Sequence, residues 1–146
     1  MIRFGHKSIC FLLLFLSTII CFGVLTGLTG CGTQKLSADF DEAEVKAAAG
    51  NVIAMVNGED SEGLRTTSTA QMKAALTDEL LNQIYEDIGK GGPFREIKEM
   101  NTRGLTNKEN DEELAVVVAR AEYENRSFIY TISFNKEMKL AGLYYK

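Results

Sequence analysis

The stretch LAVVVARAEYE (Leu114–Glu124), the pair Asn125-Arg126, and then SFIYTISF (Ser127–Phe134) decide the fold. Val117, Ala119, Ala121 and Tyr123 alternate with Val118, Arg120, Glu122 and Glu124. Phe128, Tyr130, Ile132 and Phe134 alternate with Ile129, Thr131 and Ser133. A period of two places alternate side chains on opposite faces of a strand, so each segment has one apolar face and one mixed face. The short polar pair between them makes a hairpin, and Asn125-Arg126-Ser127, although it matches a glycosylation sequon, reads as that turn. A second turn at Asn135 to Met138 leads into Leu140–Tyr145, and Phe94–Met100 adds a strand in front. The segment from Thr102 to Glu113, rich in charge, is expected as a solvated loop. Its spacing does not match a calcium-binding EF-hand loop.

Working backwards, the period changes to that of helices. Val45, Ala48, Ala49, Val52, Ile53 and Val56 share one helical face, so a helix is expected from Asp39 or Asp41 to about Val56, ended by Asn57-Gly58. Ser61 is expected to cap a short turn with Leu64 inward, and Thr69–Leu76 to form another helical piece. Thr77 caps a clearer helix, Asp78–Ile88, with the apolar stripe Leu80, Leu81, Ile84, Tyr85 and Ile88. Gly89 is expected at its C-terminal end, and Gly91-Gly92-Pro93 breaks the chain again. Helices first and an antiparallel meander second predict an α+β domain over residues 39–146, with about three helices packed on a curved four-stranded sheet.

The first thirty residues are of a different kind. Arg3 and Lys7 are their only charges, and no charged side chain occurs from Ser8 to Gln34. A basic start followed by an apolar run is the pattern of a secretory signal. An apolar run of about 20 residues is also long enough to span a bilayer. Leu28-Thr29-Gly30-Cys31 resembles the bacterial lipobox, in which small residues flank the scissile bond and the cysteine thiol becomes the thioether carrying diacylglycerol. The resemblance implies a signal helix in residues 1–30, lipid on Cys31, a short tether at 31–38, and residence on the extracytoplasmic face of the cell membrane. Two acyl chains suffice for stable anchoring at roughly 0.8 kcal/mol per buried CH₂. Seven tether residues, Gly32–Ala38, reach at most about 25 Å when extended.

Cleavage before Cys31 would leave 116 of the 146 residues, enough for one domain. It removes Cys10, Cys21 and the sole histidine, His6, so Cys31 becomes the only cysteine and no disulfide remains. Without histidine or a second cysteine there is no Ser-His-Asp triad, no Cys-His pair and no ordinary zinc site, and no cofactor or metal is expected. General acid–base work would fall to Asp, Glu, Lys or Tyr. All 20 acidic residues remain against 14 of the 16 basic ones, a formal charge of −6 that argues against nucleic acid as a partner.

Val56-Asn57-Gly58-Glu59-Asp60 with Leu64 resembles the helix-break-helix opening of nuclear-transport-factor-2-like domains. Met72-Lys73-Ala74-Ala75-Leu76-Thr77, Gly92-Pro93-Phe94-Arg95-Glu96-Ile97, and the ending from Ala121-Glu122-Tyr123-Glu124 through Ile132, Phe134, Leu140, Gly142 and Leu143 resemble the domain-of-unknown-function 3887 module within that superfamily. The resemblance implies a cone of helices against a bent sheet, with a pocket between them. It also implies a choice between non-catalytic binding or dimerisation modules and enzymes of the ketosteroid-isomerase or polyketide-cyclase type. Tyr123, Tyr130 and Tyr144 are the candidate pocket residues, although as plain sheet residues they need no function. Arg120, Glu122 and Glu124 read as a solvent-facing sheet surface, and Asp60 as a helix-start residue rather than a base. The expected role is a membrane-anchored binding domain for a small hydrophobic molecule, a cell-wall fragment or a protein, with homodimerisation as a further expectation.

Overall fold

The computed structural model describes residues 34–108 and 110–146. The expected signal segment, the lipobox-like stretch and Cys31 lie outside the described residues. Four helices, α1 (Glu42–Asn57), α2 (Ser61–Thr67), α3 (Ala70–Ala75) and α4 (Asp78–Gly89), precede four strands, β1 (Phe94–Asn107), β2 (Glu112–Tyr123), β3 (Ser127–Phe134) and β4 (Leu140–Tyr145). The strands form an antiparallel meander in the order β1-β2-β3-β4. The chain is α+β, and the two short pieces between α1 and α4 are separate helices where about three helices were expected.

Each helix begins where a short polar side chain satisfies a backbone N–H that has no helical partner. Asp41 accepts from the Glu44 N–H at 2.9 Å, and Thr77 from the Leu80 N–H at 3.2 Å. Helix α2 differs from expectation: Asp60, not Ser61, is the cap, accepting from the Gly63 N–H at 2.8 Å. Ser61 is thereby free to hydrogen-bond the Tyr85 hydroxyl at 3.0 Å, which ties α2 to α4. The helix ends also differ. Gly58 and Gly89 do not take the left-handed backbone; Glu59 (φ 53°) and Gly92 (φ 77°) do. At Gly92 a side chain would meet the Asn125 amide at 2.8 Å, so glycine lets this turn close on the β2–β3 hairpin, where the Asn125 N–H donates to the Gly91 carbonyl at 2.8 Å.

Helix α1 buries Val45, Ala49, Val52, Ile53 and Val56, the face its spacing predicts. Helix α4 buries Leu81, Ile84 and Ile88, but Leu80, expected in the same stripe, is 40 % exposed. The inner sheet face supplies Ala115, Val117, Ala119, Ala121 and Tyr123 from β2 and Phe128, Tyr130, Ile132 and Phe134 from β3. These residues and the helices close one hydrophobic core within residues 40–140, so residues 34–146 carry a complete folding unit. Among the described residues no helix is long and apolar enough to cross a membrane.

The largest departure from expectation is β1. The loop expected at Thr102–Glu113 is instead strand as far as Asn107, a turn with Asp111 at φ 54°, and the start of β2 at Glu112. Its polar composition misled because β1 is an edge strand, where charged residues are tolerated and protective. What holds it extended is its ladder to β2, with Thr102 opposite Val117 and Gly104 opposite Ala115. Two register shifts, between Phe94 and Glu96 and between Ile97 and Glu99, bend this strand.

Part of the expected tether lies on the domain. The Gly104 N–H donates to the Gln34 carbonyl at 2.7 Å, Ser37 reaches Glu113 at 3.3 Å, and Leu36 packs on the core. A side chain on Gly104 would stand 2.5 Å from the Lys35 carbonyl oxygen, so glycine permits this approach.

Candidate functional site

Strand alternation turns Tyr123 and Tyr130 to the same inner face, and the hairpin register brings their hydroxyls to 2.7 Å. Tyr123 donates onward to Asn57 Oδ1 at 2.7 Å, and the Asn57 amide nitrogen donates to the Ile53 carbonyl at 2.9 Å. Because the Tyr123 proton goes to Asn57, Tyr130 is the donor within the tyrosine pair. The result is a directed chain, Tyr130 to Tyr123 to Asn57 to the last turn of α1. Tyr130 is fully buried and Tyr123 nearly so. Burial pushes both phenols above their ordinary range, which keeps them neutral. The sequence marks Asn57 only as a helix terminator. Its role depends on a partner 66 positions away, for which the sequence carries no signal.

The space between the helices and strands β2 and β3 is filled. Phe128 and Ile132 are buried there, Leu143 half-buried, and Phe94 and Phe128 pack edge-on against the Tyr123 ring at 5.5 and 5.2 Å. Every buried side-chain nitrogen or oxygen among the described residues has a hydrogen-bond partner. What stays open above Tyr123 is a cleft of about 160 Å³, walled by Asn57, Glu59, Tyr85, Pro93 and Phe94. Its one carboxylate, Glu59, is exposed to solvent. The Tyr123 and Tyr130 hydroxyls are engaged with one another and with Asn57, so neither phenol is free to act as a nucleophile or base.

Tyr144 is not brought to this cluster. It is 63 % exposed on β4 and lines a different groove, against α3 and α4. Its neighbour Tyr145 donates to Asp87 at 3.1 Å, but Asp87 also holds Lys90 at 2.6 Å near the surface. The Lys90 ammonium, and then the Tyr145 hydroxyl, hold the Asp87 carboxyl below its usual range, which suits an ion-pair partner rather than a general base. Arg120 pairs with Glu122 at 2.9 Å and Arg95 with Glu124 at 3.5 Å, all on the solvent side of the sheet. Asp60 is occupied as the α2 cap.

These features define an α+β domain with a packed interior and its concavities at the surface. The chain belongs to the family described as Protein of unknown function (DUF3887), whose model matches residues 49–143. A protein from Ruminococcus gnavus ATCC 29149, solved by NMR, shares the fold with a TM-score of 0.69 at 20 % identity, over 77 % of this chain and 96 % of that one. No curated protein matches the chain.

Proposed function

We propose that this protein is a lipid-anchored, extracytoplasmic lipoprotein whose nuclear-transport-factor-2-like domain recognises another protein through its surface and catalyses no reaction. For the domain, one observation carries the reading. The interior where a substrate would sit is occupied by Phe128, Tyr130 and Ile132, and its polar groups satisfy each other. The cleft at Tyr123 is smaller than the roughly 300 Å³ at which small-molecule pockets begin, and the larger concavity, about 420 Å³ between β4 and helices α3 and α4, is a groove open to solvent rather than an enclosed cavity. For the anchor, support comes from Leu28-Thr29-Gly30-Cys31 at the end of the charge-free run.

Two experiments test the two halves. In bacteria fed a labelled fatty acid, Cys31→Ala should abolish labelling and leave an uncleaved precursor; unchanged processing and membrane retention would refute the anchor. For the domain, cross-linking in intact membranes should trap a specific protein partner. Native mass spectrometry showing a co-purifying small hydrophobic molecule or cell-wall fragment, with no protein trapped, would overturn the protein-recognition reading.

A further inference from the structure

The two edges of the sheet are treated differently. Strand β1 carries Arg95, Glu96, Lys98, Glu99 and Arg103, and Gln34 covers it at Gly104. Charges and covering segments are the usual means of blocking an edge. Strand β4, the other edge, reads Leu-Ala-Gly-Leu-Tyr-Tyr, with neither charge nor proline.

The ladder shows which β4 groups face outward. Lys146 and Ile129 exchange both backbone hydrogen bonds, at 2.9 and 3.1 Å. Antiparallel pairs alternate, so Tyr144 opposite Thr131 and Gly142 opposite Ser133 are the next exchanging pairs. Leu143 and Tyr145 therefore turn their N–H and C=O groups to the side where no described strand lies. Beside this open edge α3 and α4 stand off, leaving a groove of about 420 Å³ lined by Met72, Leu76, Leu80, Ile84, Leu143 and Tyr144. The exposed Leu80 and Tyr144 flank it. The chain already uses the start of the same edge: Ser68 bridges to Leu140, and the Thr69 N–H donates to the Leu140 carbonyl at 2.9 Å before the backbone turns away into α3.

We infer that the open edge of β4 and its groove dock an extended segment of a partner protein, which adds as a fifth strand. This rests on the protein-recognition reading above and names the kind of partner. Backbone groups of the segment would pair with Leu143 and Tyr145, and alternate apolar side chains would enter the groove against Met72, Leu76 and Ile84. A neutral or basic segment fits, because the chain from residue 34 holds 20 acidic and 14 basic residues. A second copy fits less well. It carries the same charge, and two-fold pairing centred on Leu143 would set Lys146 of one copy against Leu140 of the other, whose carbonyl Thr69 already occupies.

The test is selection from a phage-displayed random dodecapeptide library against residues 34–146, followed by fluorescence anisotropy with the selected peptides. Selected peptides should alternate apolar residues. Their affinity should fall at least tenfold with Leu143→Pro, which removes an outward N–H while sparing the β3 ladder, and with Leu80→Glu, an exposed change that leaves the core alone. Methylating alternate peptide nitrogens should abolish binding. Selection without alternation, or binding indifferent to both variants, would overturn the assignment. So would a concentration-dependent dimer lost in Leu80→Glu, which would make a second copy the occupant. If a partner cross-linked in membranes still binds Leu80→Glu and Leu143→Pro, the edge assignment falls while the protein-recognition reading stands.

Discussion

Replacing Tyr123 with Phe should destabilise the domain more than replacing Tyr130, although Tyr130 is the deeper residue. The direction of the hydrogen bonds decides this. In Tyr123→Phe the Tyr130 hydroxyl, fully buried, keeps a proton with no acceptor at 2.7 Å, and Asn57 Oδ1 loses its donor. A buried donor left unpaired costs about 1–3 kcal/mol, and Asn57 is half-buried and able to recruit water, so the expected loss is about 2–3 kcal/mol. In Tyr130→Phe the Tyr123 proton still reaches Asn57, and only one hydrogen bond of about 1 kcal/mol disappears. Combining both changes removes the orphaned hydroxyl itself, so the double variant should cost about 1–2 kcal/mol, less than the sum of the two, a coupling of about 2 kcal/mol. Urea unfolding of residues 34–146 followed by far-ultraviolet circular dichroism gives each value, provided the denaturant slope is common to all four proteins. A larger loss for Tyr130→Phe than for Tyr123→Phe, or strict additivity, would refute the directed chain.

Three further outcomes follow from the same structure. Burial raises the folded-state pKa of Tyr123 and Tyr130 above the unfolded value of about 10, so their contribution is complete below pH ~10 and is lost as pH rises beyond it; in a 295 nm titration some phenols should ionise only as the circular dichroism collapses, and five phenols titrating with the fold intact would contradict this. Gly104→Ala should push the Lys35 carbonyl, 2.5 Å from the new Cβ, off β1, costing about 1–3 kcal/mol; limited trypsin digestion should then cut after Lys35 faster than in the parent, and equal rates would mean that Gln34–Ser37 is not held there. Arg65 ties α2 to the α3–α4 junction through the Leu76 carbonyl at 2.8 Å and Asp78 at 2.6 Å, and Arg65→Ala should lower stability by about 1–2 kcal/mol, whereas Asp78→Ala, which removes only the exposed partner, should cost under about 1 kcal/mol in the same urea assay.

What could be read without coordinates was local. A period of two assigned the faces of β2 and β3, because a strand's side chains alternate whatever it pairs with, and Val117, Ala119, Tyr130 and Ile132 lie inward as that period requires. Spacing located the buried face of α1, and Thr77 caps where a hydroxyl precedes a helical run. The reading failed where the deciding partner is distant. Thr102–Asn107 looks like loop until β2 supplies its ladder, and Leu80 fits a helical stripe until the open β4 edge leaves its side of α4 uncovered. Among the tyrosines singled out, alternation places Tyr123 and Tyr130 on one face, but only the hairpin register and the end of α1 join their hydroxyls to Asn57. Tyr144 is set apart by the same alternation on an edge strand. The sequence by itself determined the strand faces, the Thr77 cap and the residue types available for chemistry, since these depend on neighbours within a few positions. Only the tertiary structure decided that the interior is full, that one sheet edge is guarded and that the other is open, because each depends on pairings between residues far apart in the chain.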